Sequence, residues 1–298
     1  MSSRLLTAAL TGRLDEVKRL LAEGVDVNCR DWAGKTPLMP AVFGGHVKVV
    51  EELLRHGADP NAKARNQDTP LIAAARTGNA SIAELLIQSG ADIEAAGYLG
   101  LTPLMWCCLS GSVPVARLLL DNDAKLYEES QEGVSALTWA AEEGHWDVVE
   151  LLLDHHADVN LKHRRYGVTA LIEAARQGNR TAAEMILQRG ADLHGKDFNG
   201  RTCLHWACLE GNQDLVKLFL ERGAIIDDPD NEGDTPLHWS VFKGNRECTG
   251  LLLHAGASPH LRNKAGQTPL DAAEELVRMD LLNLLRSARG EGVVSEVR

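Results

Sequence analysis

The phrase Thr36-Pro37-Leu38 recurs as Thr69-Pro70-Leu71, Thr102-Pro103-Leu104, Ser135-Ala136-Leu137, Thr169-Ala170-Leu171, Thr202-Cys203-Leu204, Thr235-Pro236-Leu237 and Thr268-Pro269-Leu270. The spacing is 33 residues throughout, except for 34 between Ser135 and Thr169. A fixed period of this size constrains the fold more than any composition can. Each repeat is one supersecondary unit that cannot bury its apolar face alone, so neighbouring units must stack. A second mark follows each phrase, as in Gly57-Ala58-Asp59, Gly90-Ala91-Asp92 and Gly190-Ala191-Asp192.

The local chemistry predicts two short helices and a turn per unit. Thr at the N-cap with Pro at the first helical position starts a helix. Gly45, Gly78, Gly111 or Gly144 ends it. A second amphipathic segment follows, such as 47–54, and Gly57 or its equivalent stops that one in a left-handed conformation. The Asp/Asn/Gly-rich remainder makes a turn or hairpin.

This period and these motifs resemble the ankyrin repeat over about residues 4–289. The resemblance implies an all-α fold: one elongated solenoid of paired antiparallel helices with β-hairpin or turn fingers and about nine repeats. An N-terminal half-unit covers 4–30, and further units start near 31, 64, 97, 130, 164, 197, 230 and 263. A single domain would span 1–289, leaving a tail at 290–298. The last unit reads as a polar cap. The extra residue falls in the turn at 161–166, where an insertion is easiest to absorb.

Counting the Thr as position 6, the Leu at position 8 and small residues at 11 and 12 share one helix face, at about 100° per residue. Positions 10, 13 and 14 point away from it, and solubility alone would make them polar. Position 10 instead carries Trp106, Trp139, Trp206 and Trp239, four of the six tryptophans in the chain. Position 13 carries Phe43, Leu109, Leu209 and Phe242. The turn tips carry Trp32, Tyr98, Leu99, Tyr166 and Phe198. Aromatics gathered on one surface signal binding. In ankyrin proteins this face lines the concave groove, so the resemblance implies a non-enzymatic interaction module or adaptor.

Charge sharpens that expectation. The net charge is −11, from 42 acidic and 31 basic residues, and residues 121–160 hold 11 acids against Lys125 alone. Glu142 and Glu143 fall beside Trp139, and Glu173 replaces Trp at position 10 of the next unit, with Arg176 nearby to pair part of this acid internally. A protein or peptide partner with a basic segment would find cation–π surface and carboxylates together. The phrases around Trp106, Trp206 and Trp239 are similar to the ankyrin domains of certain palmitoyltransferases, which bind Pro-containing peptides in this groove. They are also similar to those of histone methyltransferases that read methyl-lysine. That cage uses Trp at position 5, where this chain has Leu101, Val134, Arg201 or Asp234. A structural or assembly scaffold using its ends or convex face is a further alternative.

Other classes find no support. Phosphate-cradling, zinc-protease and nucleophile-elbow motifs are missing. Cys203, His205 and Cys208 do not converge on one helix face, so no metal and no cofactor is expected. The acidic balance disfavours nucleic acid. No apolar run approaches the roughly 18 residues of a membrane span. Six cysteines make no disulfide framework, and the start lacks a signal-peptide core, so the expectation is a cytoplasmic or nuclear monomer. Asn28, Asn61 and Asn160, each with Leu eight residues before it, fit the preference of the asparaginyl hydroxylases that act on ankyrin repeats.

Overall fold

The computed structural model describes residues 1–288, so the expected tail at 290–298 lies outside the described residues. Among these residues there are eighteen α-helices, one 3-10 turn at Tyr98–Gly100 and no strand. The chain divides into two compact units, Met1–Ala157 and Asp158–Arg298. The first holds ten of the α-helices and the second eight. Within each unit, first helices pack on first helices and second helices on second helices, as in a repeat solenoid.

The recurring phrase acts as predicted. Thr69, Thr102, Thr235 and Thr268 are N-caps of helices that begin at the following Pro. Gly78, Gly111, Gly211 and Gly244 close their helices in the left-handed conformation. Small side chains at positions 11 and 12, such as Ala74, Ala75, Cys107, Cys108, Ala140 and Ala141, are buried. They let first helices approach closely, while the Leu at position 8 of each unit fills the core beneath them. Position 16 ties successive units: His46 Nε2 lies 3.0 Å from the Leu10 carbonyl, and Asn245 Nδ2 donates to the Cys208 carbonyl at 2.7 Å.

The fingers are turns, not hairpins. Each has one backbone cross-link spanning four residues, as from Asp31 N–H to the Lys35 carbonyl and from Asp230 N–H to the Asp234 carbonyl, around a tight turn bonded within itself, as from Gly34 N–H to the Asp31 carbonyl. One cross-link is too few to start a ladder, and the sole β-bridge among the described residues joins Glu129 and Ser135. The extra residue is taken up here: His163 N–H reaches one residue further, to Val168. Neighbouring tips join by single bonds, Arg65 N–H to Ala33 O in the first unit and Phe198 N–H to Tyr166 O in the second.

The C-terminal cap differs from expectation in exposing Leu276, Val277 and Met279. Val277 stands where other units carry the glycine of the left-handed helix stop, and it keeps that conformation at φ 54°. A β-branched residue is strained there. Val277→Gly is expected to raise stability by about 1 kcal/mol, read as an increased denaturation midpoint. An unchanged or lower midpoint would show that the cap absorbs the strain.

Candidate functional site

The position-10 tryptophans are all half-buried, with one edge against the packed helices and one on the surface. Their surroundings differ between the two units, and short sequence offsets explain why.

In the second unit the indoles are interleaved with the protein's own arginines. Arg176 lies over Trp206 at 5.1 Å, and Arg201 lies over both Trp206 at 5.4 Å and Trp239 at 4.4 Å. Phe242 meets Trp239 edge-on at 6.0 Å. Each indole N–H has a carboxylate nine residues upstream. Trp206 Nε1 donates to Asp197 at 3.2 Å, and Trp239 Nε1 donates to Asp230 at 3.0 Å. The same aspartates brace their turns, Asp230 Oδ1 accepting the N–H groups of Glu232 and Asp234, both at 2.9 Å. Glu173 is buried rather than displayed, paired at 2.6 Å with Arg176. The carboxylate expected to meet a partner therefore holds an arginine that itself stacks on Trp206. Leu209 is half-buried beside this cluster in register.

In the first unit Arg76 is shared between Phe43 at 5.7 Å and Trp106 at 4.7 Å, with an ion pair to Asp68 at 3.4 Å. Trp139 is different. The preceding unit holds Leu109 at position 13 where Trp106 and Trp206 meet Arg76 and Arg176, and Leu101 at position 5 where Trp239 meets Arg201; its own position 5 holds Val134 where Trp206's unit holds Arg201. No guanidinium lies over Trp139 among the described residues, whereas Glu142 and Glu143 on the following turn are exposed.

The Nε1 atoms of Trp106 and Trp139 are buried and have no acceptor. The residues nine upstream, Gly97 and Ser130, lack the carboxylate that Asp197 and Asp230 supply. Ser130→Asp is expected to stabilise the first unit by about 1 kcal/mol, by giving the Trp139 N–H an acceptor. Thermal unfolding checks this, and a lowered midpoint would mean that the added acid outweighs the new bond.

The fingers present Trp32, Tyr98, Tyr166 and Phe198 to solvent, each more than half exposed. Tyr166 stacks on His163 at 5.0 Å, with Arg165 at 5.9 Å on its ring. Asn28, Asn61 and Asn160 all serve the next unit's turn: their Oδ1 atoms accept the N–H of Asp59, Asp92 and Asp192. An enzyme acting on them meets side chains already engaged. All six cysteines are free and buried.

The histidines at position 9 are structural. Thr202 N–H donates to His205 Nδ1 at 3.0 Å, so the neutral ring carries its proton on Nε2, which donates to the Asp234 carbonyl at 3.2 Å. His238 repeats this between Thr235 and Gln267. Burial pushes His205 down to about 4 and lowers His238 as well.

Among the described residues no group of three or more His, Cys, Asp or Glu is placed to hold a metal ion. No helix there is long and apolar enough to cross a membrane. No curated protein matches the chain. A family model described as ankyrin repeats (3 copies) matches residues 3–64, 63–130, 124–197 and 171–263. Repeats of this family are in general non-enzymatic modules for protein–protein interaction. The recurring Thr-Pro-Leu phrase, the helix pairs it caps and this match agree, and the chain belongs to the ankyrin-repeat family.

Proposed function

We propose that this protein is an adaptor that binds an extended protein segment along the first-helix face, with the basic part of that segment seated at Trp139. The observation that carries the reading is the open indole of Trp139 beside the exposed Glu142 and Glu143. A lysine or arginine placed there gains ring and carboxylate together, as Arg76 and Arg176 already do on Trp106 and Trp206. Trp106 and Leu109 extend the apolar surface on one side. In the second unit the first-helix face has its own apolar residues, Trp206, Leu209, Trp239 and Phe242, and there Arg176 and Arg201 cover indole faces. For the same reason a methyl-lysine cage around Trp206 and Trp239 is disfavoured, since Arg201 stands where the ligand cation would.

The acidic stretch at 121–160 would also steer a basic partner and make its association salt-dependent. Affinity capture from lysate with wild type and Glu142→Lys/Glu143→Lys side by side tests the reading. The expected result is a set of partners with basic segments that the double variant, still folded, loses. Retention of every partner by that variant would contradict the charge preference.

A further inference from the structure

The tryptophan column is missing at the N-terminal end. Position 10 is Ala73 in the third unit, Pro40 in the second and Thr7 in the half-unit, and at the last two the missing indoles leave room. In their place is a cavity of about 810 Å³. Leu10 and Phe43 form its apolar floor, and Trp32, 82% exposed, stands at its edge. The volume is within the roughly 300–1,000 Å³ of small-ligand pockets and admits a large side chain.

The charge around this cavity is the reverse of that near Trp139. Lys35 and Arg30 line it, against Asp31 alone. Arg30 Nη1 donates to the carbonyls of Gly34 and Lys63, and the Lys35 ammonium lies over the Phe43 ring at 5.4 Å. Asp31 Oδ1 is taken by the N–H groups of Ala33 and Lys35. Among the described residues no carboxylate is within ion-pair distance of Lys35 or Arg30, so two cations border an apolar hollow without acidic partners.

We propose that this cavity docks a bulky apolar side chain, aromatic or leucine, that stands next to an Asp or Glu in an extended partner segment. The apolar group would replace the missing indoles against Phe43 and Leu10, and the carboxylate would meet Lys35 and Arg30. Trp32 would lose most of its water contact on closing over the ligand, as buried aromatic anchors do. The inference rests on the reading that the first-helix face takes an extended segment. It adds a second anchor of opposite charge preference, at the other end of the same unit from Trp139.

The test is selection from a phage-displayed library of random linear peptides on the full chain. Four baits run in parallel: wild type, Thr7→Trp to fill the cavity, Lys35→Glu to reverse its charge, and Trp139→Ala. Thr7 and Trp139 are not core residues, and Lys35 keeps a second route open should Thr7→Trp misfold. Wild type is expected to enrich peptides pairing Phe, Trp or Leu with an adjacent Asp or Glu. Thr7→Trp should lower their recovery about tenfold, Lys35→Glu should remove the acidic preference, and Trp139→Ala should leave both intact. Peptides that lack this pair, or that survive both Thr7→Trp and Lys35→Glu, overturn the inference. If they depend on Trp139 alone, the proposed function stands without it. No enrichment by any bait overturns both.

Discussion

Asp230→Ala is expected to destabilise the second unit by about 3–5 kcal/mol. The Asp230 carboxylate is buried and accepts three N–H groups, those of Glu232, Asp234 and the Trp239 indole. It also lies 4.0 Å from Arg201 Nε, and Arg201 covers the faces of two indoles. Alanine leaves three donors without an acceptor and a half-buried guanidinium without its counter-ion. Asp230→Asn keeps an oxygen for the turn and should cost about half as much. Urea denaturation of both variants checks this. A loss below about 1 kcal/mol for Asp230→Ala would mean that water replaces the carboxylate freely and that the finger is not braced by it.

The second large effect is a loss of stability in mild acid. His205 is 1% exposed, with its ring nitrogens committed to Thr202 and Asp234, and burial lowers its pKa from 6.5 to about 4. Protonating Nδ1 would set a proton against the Thr202 N–H. Between these values the unfolded chain binds a proton that the folded one refuses, so stability falls as the pH drops. The contribution is fully present above pH 6.5, declines below it, and is spent by about pH 4. A shift of this size is worth about 3 kcal/mol in all, and about 2 kcal/mol of that is gone by pH 5. His238, lowered for the same reason, adds in the same direction. Denaturation midpoints of wild type at pH 7 and pH 5 should therefore differ markedly, and His205→Gln should show a flatter dependence. Equal slopes for the two proteins would contradict this account of the cap.

The repeat architecture was legible because its signals are local. A Thr N-cap, a Pro at the first turn and a Gly at a left-handed stop each act within a few residues, and 33-residue spacing repeats them. The tryptophan column was legible too, since position alone placed four indoles on one face. Three things were not. The fingers read as turns or hairpins alike, and the choice of turn rests on their having a single cross-link spanning four residues, too few to support a strand. The arginines over Trp106, Trp206 and Trp239 come from position 13 or position 5 of the preceding unit, and for Trp206 also from position 5 of its own unit, so a reading of single helices misses them. The cavity at Thr7 and Pro40 is defined by what the column lacks, and its volume depends on the Trp32 finger standing beside it. In retrospect the offsets are simple: Asp nine residues before Trp marks a bonded indole, and Arg thirty residues before it marks a covered one, as for Arg76 and Trp106 or Arg176 and Trp206.

These offsets divide the tryptophans by role. Trp206 is bonded through its N–H and has two guanidiniums over its ring, so its removal should cost mainly stability. Trp139 has neither a guanidinium over it nor an acceptor for its N–H, and its removal should cost mainly binding. The most direct measurement is calorimetric titration of a captured partner's basic segment into wild type and Trp139→Ala, with the melting temperature of each protein recorded alongside. Trp139→Ala is expected to bind about tenfold to a hundredfold more weakly, at a nearly unchanged melting temperature. Equal affinities for the two folded proteins would contradict it, and would remove Trp139 from the binding face.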